Sequence, residues 1–248
     1  MGLGDLLRRG AAAGAAAGTL AAVWLLLVTE RPLRDALKIE DARAAYEDKI
    51  SAANGAPRMP EPELVTHPQQ VVFAVLTMIV VGALVGLVFA IVYGAARRRL
   101  PGYHDYTKSF ALAAIAFGAV TLFPFLAIPG MPPAVGNPAT VNERTLIYLG
   151  AIALGVTIAL AAFAIDKALA ARVSTATRLP LVFAFVAVAA VGLLLALPNT
   201  PDAIQDPAWA FNGELSYNAS PELIWRFRTA SLGQFLVLWG SLGAIFGM

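Results

Sequence analysis

The sequence predicts an all-α membrane protein, a polytopic bundle of six transmembrane helices that forms a single membrane domain over residues 1–248. Hydrophobic residues make up 58% of the chain and charged residues only 14%, which is more apolar than an ordinary soluble domain. Six runs reach the roughly 20 apolar residues that cross a hydrocarbon core. The strands of a membrane β-barrel alternate apolar and polar residues, whereas these runs are continuously apolar, so we predict helices.

The predicted spans, in chain order, are Gly10–Val28, Val71–Gly94, Phe110–Ile128, Leu146–Ile165, Leu181–Leu197 and Leu223–Met248. The first span carries Gly10, Gly14 and Gly18 among alanines, and the second repeats the four-residue interval with Gly82 and Gly86. Small residues at this interval allow two helix backbones to approach closely. We interpret them as packing surfaces within the bundle, with a dimer interface as the alternative.

The third span runs into the proline-rich stretch FPFLAIPGMPPAVGNPAT. Proline lacks a backbone donor and favours an extended conformation in the residue before it, so the helix should end near Ile128 and Pro124 should distort it. At membrane depth, carbonyls outside regular structure are tolerated only when they are buried in protein or line a cavity. The stretch can therefore be a stiff interfacial turn or a segment that coordinates a cation, and the sequence leaves both open.

Basic residues in the short loops predict the orientation of the bundle. They precede the first span or lie between spans two and three and between spans four and five: Arg8, Arg9, Arg97, Arg98, Arg99, Lys108, Lys167, Arg172 and Arg178. We therefore predict that both termini are cytoplasmic and that residues 29–70 form the first outer loop. Within that loop, PLRDALKIEDARAAYEDKI is typical of an amphipathic helix on the membrane surface.

The sequence lacks the short motifs that identify common classes of enzymes and metal sites. Cysteine is absent, and the only histidines, His67 and His104, are predicted to lie on opposite sides of the membrane as solvated loop residues. The chain has no metalloprotease histidine pair, phosphate-binding glycine loop or nucleophile elbow. We predict that it is not an enzyme, has no resident cofactor, and meets the lipid bilayer rather than nucleic acid.

Polar residues at the outer ends of spans four and six are the candidates for a vestibule. NERTLIY opens the fourth span and SPELIWRFRTASLGQ opens the sixth, and ionisable groups at such depth need a partner or a wet cavity. We favour the interpretation in which Glu222 pairs with Arg226, and both Arg226 and Arg228 reach the headgroups; a polar vestibule is the alternative. The vestibule candidates are Pro132, Pro133, Asn137, Glu143, Arg144, Thr145, Arg226, Arg228 and Gln234.

Two long stretches resemble the CbtA family, proposed cobalt transporter subunits of bacterial membranes. PFLAIPGMPPAVGNPATVNERTLIYL is similar to the proline-rich signature of the family, and LIWRFRTASLGQFLVLWGSLGAIFG is similar to its C-terminal signature. ERPLRDALKIEDA and EPELVTHPQQ resemble the first outer loop of the family. The resemblance covers nearly the whole chain and implies a bacterial inner (plasma) membrane location, with Co²⁺ as the transported ion.

The resemblance also implies a small histidine-bearing membrane partner, CbtB. Cobalt favours imidazole or carboxylate ligands, and the metal-ligand candidates in this chain are the carboxylates Glu30, Glu40 and Asp41. Our first hypothesis is a membrane transport subunit for cobalt or another divalent cation. The alternative is a non-transporting structural or accessory subunit of a larger membrane complex, because charged residues are scarce inside the first five spans.

Overall fold

The computed structural model describes residues 2–55, 65–133, 135–136, 138–198 and 220–248. These residues form helices and no β-strand. We number the helices α1 (Leu3–Ala53), α2 (His67–Ala96), α3 (Asp105–Ala127), α4 (Val141–Leu169), α5 (Thr175–Ala196) and α6 (Pro221–Gly247). All six are long and apolar enough to span a membrane, which confirms the number and order of the predicted spans.

Helix α1 is much longer than the first predicted span. It continues for 51 residues, and Glu30–Ala53, which the sequence assigns to the first outer loop, is its second half. The apolar run stops at Val28, and this predicted boundary marks a change in composition rather than the end of a helix. The span and the charged segment that follows it are therefore one continuous helix.

Two short π-helical turns interrupt the α-helices, and each lies just before a proline. Leu25–Thr29 precedes Pro32 in α1, and Phe117–Leu122 precedes Pro124 in α3. A proline cannot donate to the carbonyl four residues earlier, and π turns are one way in which membrane helices satisfy the backbone groups that it leaves free. The distortion expected at Pro124 is thus a π turn, and α3 ends one residue before the predicted Ile128, which is extended.

Glycines bring α1 and α2 together as antiparallel neighbours in backbone contact. A Cβ atom added at Gly10 or Gly14 would overlap the carbonyl oxygen of Gly86 or Gly82, respectively, and the reverse additions would overlap equally. Gly18 meets the backbone of Met78 in the same way. Only glycine permits this approach, so the two glycine ridges serve packing within one chain, as the bundle interpretation predicted.

The main core lies between α1, α2, α3 and α6, where Ala17, Ala21 and Leu242 are completely buried. A smaller cluster joins the end of α3 to α4 through Phe123, Ala151 and Ile158. Helix α5 packs on α4 and contains no buried residue. The bundle therefore has a tight four-helix part, in which the polar residues described next are held, and a looser edge formed by α4 and α5.

Candidate functional site

We call one end of the bundle the Glu30 end and the opposite end the Arg99 end. At the Glu30 end, α1 passes Glu30 while α2 and α6 begin; at the Arg99 end, α2 has just finished and α3 begins. The sequence places most of the unusual polar residues at the Glu30 end, and the structure shows which of them meet.

Glu30 is a buried carboxylate inside the bundle. Its side chain is only 4% exposed, and its Oε1 atom accepts a hydrogen bond from Arg34 Nε at 3.1 Å, one helical turn further along α1. The same oxygen lies 2.9 Å from Nε2 of His67, the first residue of α2. One oxygen atom of the Glu30 carboxylate thus contacts both the Arg34 guanidinium and the His67 imidazole, between α1 and α2.

The pair of Glu30 and His67 is incompletely satisfied. Glu30 Oε2 and His67 Nδ1 are both buried and have no hydrogen-bond partner among the described residues. A buried charge without full hydrogen bonding is costly, and removal of one partner from such a pair typically costs about 3–5 kcal/mol. An incompletely satisfied polar pair lowers the stability of a membrane helix bundle. Such a pair is therefore a candidate functional site.

His67 departs from its sequence-based assignment as a solvated loop residue. It begins α2 directly after Thr66, whose backbone N–H donates to Gln69 Oε1 at 2.9 Å in a capping box. The capped helix start fixes the backbone next to α1, and the His67 side chain is 38% exposed while its ring meets Glu30. The two residues are 37 positions apart, so no local spacing in the sequence could indicate their contact.

A second polar cluster connects α1, α2 and α6. Thr29 Oγ1 donates to Gln234 Oε1 at 3.1 Å, and Gln234 Nε2 donates to the Met78 sulfur at 3.4 Å. Thr29 and Gln234 are buried. The π turn that ends at Thr29 precedes Glu30 directly, so two consecutive residues of α1 are buried, with Thr29 bonded to α6 and Glu30 to α2.

The proline coil, by which we mean the described residues between 128 and 136, is held by arginines from two helices. Arg228 of α6 donates through Nε to the Gly130 carbonyl at 3.1 Å and through Nη2 to the Met131 sulfur at 3.5 Å. From α4, the Arg144 guanidinium lies over Gly136, where an added Cβ would be 3.0 Å from both Nη atoms. The Gly130 carbonyl of the coil is therefore bonded to the guanidinium of Arg228.

The remaining vestibule candidates do not converge on one cavity. Pro132 is fully buried and Pro133 is half-buried, whereas Glu143 and Thr145 are exposed on the first turns of α4. Asn137 lies outside the described residues. Of the candidates, Arg226 lines a cleft of about 410 Å³ between α1 and α6, together with Trp24 and Arg31.

Arg226 differs from Arg228 in its partner. Its Nη1 atom is 3.9 Å from Asp35 Oδ2 of α1, so the described ion pair joins two helices rather than linking Arg226 to Glu222 within α6. Both side chains of the pair are about half exposed. Exposed pairs of this kind contribute about 0–1 kcal/mol, so we regard the contact as peripheral to the site.

The three predicted metal ligands are not brought together. Glu40 and Asp41 are exposed on α1, about 15 Å along the helix from Glu30 at 1.5 Å per residue. Among the described residues, no group of three or more His, Asp or Glu side chains could hold a metal ion. The part of the chain that the structure describes thus brings two candidate donors together, Glu30 and His67, and Glu30 is the one that the sequence predicts.

Replacement of Arg228 with glutamine should destabilise the protein by about 1.5–3 kcal/mol, the usual value of a hydrogen bond to a charged group. The substitution removes the bonds to Gly130 and Met131 that hold the proline coil against α6. Equilibrium unfolding in mixed micelles would measure the loss. Arg226→Gln is the matched control and should change stability by less than about 1 kcal/mol; an equal loss in both variants would contradict this role of Arg228.

Six helices of spanning length, and a contact between the buried Glu30 carboxylate of one and the His67 imidazole of another, define a multi-pass membrane protein with a polar site at one end of its bundle. The chain belongs to the CbtA family, whose description is "Probable cobalt transporter subunit (CbtA)" and which matches residues 3–248. The expected family is therefore confirmed over essentially the whole chain, and it is a family of transporter subunits rather than of enzymes. Comparison with the curated proteins and with the solved structures gave no match.

Proposed function

We propose that this chain is a membrane transport subunit that takes part in moving Co²⁺ or a related divalent cation, with Glu30 and His67 as its first ligands. The observation that carries the proposal is the contact of His67 with the buried Glu30 carboxylate, in which each side chain has one buried polar atom that no described residue satisfies. A cation bound there would use those atoms and neutralise the carboxylate. Membership in a family of probable cobalt transporter subunits supports the choice of ion.

The donor atoms favour a transition metal over Mg²⁺ or Ca²⁺. Imidazole is a ligand for first-row transition metals, whereas Mg²⁺ and Ca²⁺ prefer carboxylate, carbonyl and water oxygens. The Met78 sulfur and the Gln234 amide belong to the separate cluster with Thr29, about 16 Å along α2 from His67 at the level of Met78, and are not counted among the ligands. Two protein ligands do not complete the coordination of such an ion, so we expect water or a partner chain to supply the rest, as a small histidine-bearing subunit of the CbtB kind would.

Arg34 gives the site a resident cation in the absence of metal. Its side chain is 62% exposed, while the Glu30 carboxylate that it contacts is 4% exposed. The long, mostly exposed Arg34 side chain can swing into solvent, whereas Glu30 is fixed within the helix pair. Arrival of a divalent cation would thus exchange one positive partner of Glu30 for another, and the buried carboxylate would keep a cation throughout.

The positive-inside rule supports an orientation in which the Glu30 end faces away from the cytoplasm. On this proposal the exposed carboxylates Glu40 and Asp41 raise the local cation concentration near the site, and the vestibule residues Arg144 and Arg228 fix its rim by holding the proline coil. The sequence contains no nucleotide-binding motif, so ATP-driven movement would need another chain. The location that fits best is the inner (plasma) membrane of a bacterium.

Cellular cobalt content tests the transport function. A strain that lacks the chain should accumulate several-fold less cobalt under cobalt limitation than the same strain complemented with it, as measured by elemental analysis. The complemented strain should also show no matching change in magnesium, since the site favours transition metals. Equal cobalt contents in the two strains would contradict the proposal.

An accessory role within a larger membrane complex is the second candidate function, and the packing of the core favours it. Ala17, Ala21 and Leu242 are completely buried in the core, and the glycine contacts close the space between α1 and α2 from Gly10 to Gly18, beyond the Glu30 end. Purification in a mild detergent separates the two candidates. A stoichiometric partner and no cobalt binding by the chain alone would support the accessory role, and cobalt bound to the isolated chain would support the transport role.

A further inference from the structure

A long apolar groove runs along the loose edge of the bundle. It has a volume of about 630 Å³, is floored by α4 and has α3 and α5 as its walls. Its lining on α5 extends from Thr175 to Ala190, which corresponds to about 22 Å at 1.5 Å per residue. One leaflet of the hydrocarbon core is about 15 Å thick, half of the whole core, so the groove covers the depth of a leaflet.

The groove opens towards the bilayer because α5 contributes no buried residue. Phe183, which lines it, is 73% exposed, and Gly118 of α3 has nothing within 4 Å of an added Cβ. In a chain whose helices span a membrane, lipid hydrocarbon is the phase that adjoins such a wall. A lipid acyl chain can therefore occupy the groove.

The charged residues of the groove lie together at the Arg99 end. Arg99 is exposed, and Arg178 contacts Asp166 through Nε at 2.8 Å. The two groups form an ion pair by distance, but Arg178 Nε has no hydrogen-bond partner among the described residues, so the guanidinium keeps N–H donors for a headgroup phosphate. The groove therefore combines an apolar length with two arginines at one end, which is the pattern of charge and hydrophobicity in an anionic phospholipid.

We propose that this groove is a binding site for one anionic phospholipid, with an acyl chain between α3 and α5 and the phosphate held by Arg99 and Arg178. The site is separate from Glu30 and His67, which lie between α1 and α2 at the other end of the bundle. Its occupancy fills the space that α5 leaves open and stabilises the packing of the α4–α5 edge. The proposal does not depend on the identity of the transported ion.

Native mass spectrometry of the purified full chain tests the site by titration with phosphatidylglycerol and with phosphatidylcholine of the same acyl chains. Both lipids offer a phosphate, but the choline cation makes phosphatidylcholine neutral overall and places a positive charge near the two arginines. The wild-type chain should therefore retain one phosphatidylglycerol at least about tenfold more tightly than phosphatidylcholine. Arg99→Gln should remove most of this preference, and Arg98→Gln, at an exposed neighbour outside the groove, should preserve it. Equal retention of both lipids by the wild type would overturn the proposal.

A second pair of variants tests the apolar part of the groove. Gly118→Leu should lower retention of both lipids because the new side chain fills the groove, whereas Gly192→Leu, in α5 beyond the groove lining and equally free of neighbours, should retain both as the wild type does. A photo-crosslinker at Phe183 in native membranes should label lipid. Equal retention by the two leucine variants, or stoichiometric labelling of another protein chain, would show that lipid is not the occupant.

Discussion

Glu30→Gln should reduce the affinity of the purified chain for Co²⁺ by more than about a hundredfold. Changes to groups that only orient a metal ligand already cost about 10- to 100-fold in affinity, and this change neutralises a ligand itself. Glutamine has nearly the same shape as glutamate, and the partners that it would leave without a carboxylate, Arg34 and His67, reach solvent, so the fold should persist. Isothermal titration calorimetry with CoCl₂, together with a melting curve of each variant, measures both effects.

Glu40→Gln is the matched control for this prediction, because Glu40 is a carboxylate on the same helix that lies exposed and away from His67. Its cobalt affinity should equal that of the wild type within about twofold, since an exposed and screened charge acts weakly. If Glu30→Gln binds cobalt as well as Glu40→Gln does, the buried pair is not the site. In cells, Glu30→Gln should lower cobalt content to the level of the deletion strain.

The second large effect is expected where α1 crosses α2. Gly14→Leu should destabilise the protein by about 3 kcal/mol or more, the upper end of the cost of overpacking, because its Cβ would overlap the carbonyl of Gly82 and approach the backbone of Gly86. The two helices must separate to admit the side chain, and their whole contact is disturbed. Unfolding in mixed micelles, followed by tryptophan fluorescence, would measure the loss.

Gly240→Leu is the control for Gly14→Leu. Gly240 lies inside α6, two turns before its end, and nothing is within 4 Å of its added Cβ. A leucine there should change stability by no more than about 0.5 kcal/mol, as at an ordinary surface position. If both leucines are tolerated alike, the glycine ridge does not hold the bundle together.

The spans and the glycine ridges could be predicted from the sequence because each depends on local composition. A run of apolar residues is enough to identify a helix in a membrane, and glycines four residues apart mark one face of that helix whatever its partner. The end of α1 could not be predicted in this way. Its second half is polar yet helical, and hydropathy detects the edge of the hydrocarbon core rather than the end of a helix.

The site was predicted only in part because its contacts join distant segments. Glu30 was a candidate as one carboxylate among several, but its burial depends on α2, and its contact with His67 spans 37 positions. Arg226 illustrates the same limit. A partner four residues away on its own helix was the natural expectation, whereas the partner in the structure is Asp35 of another helix. Spacing in the sequence predicts which residues are neighbours within one helix. Contacts between helices depend on how the helices pack, which spacing does not show.

X-ray absorption at the cobalt edge of the Co²⁺-loaded chain tests most directly whether Glu30 and His67 form the cation site. The chain has two histidines, so an imidazole signal from the isolated protein must come from His67 or His104. We predict a mixed nitrogen and oxygen shell with one imidazole that disappears in His67→Asn and persists in His104→Asn. A shell without imidazole, or an imidazole signal that survives His67→Asn, would contradict the account.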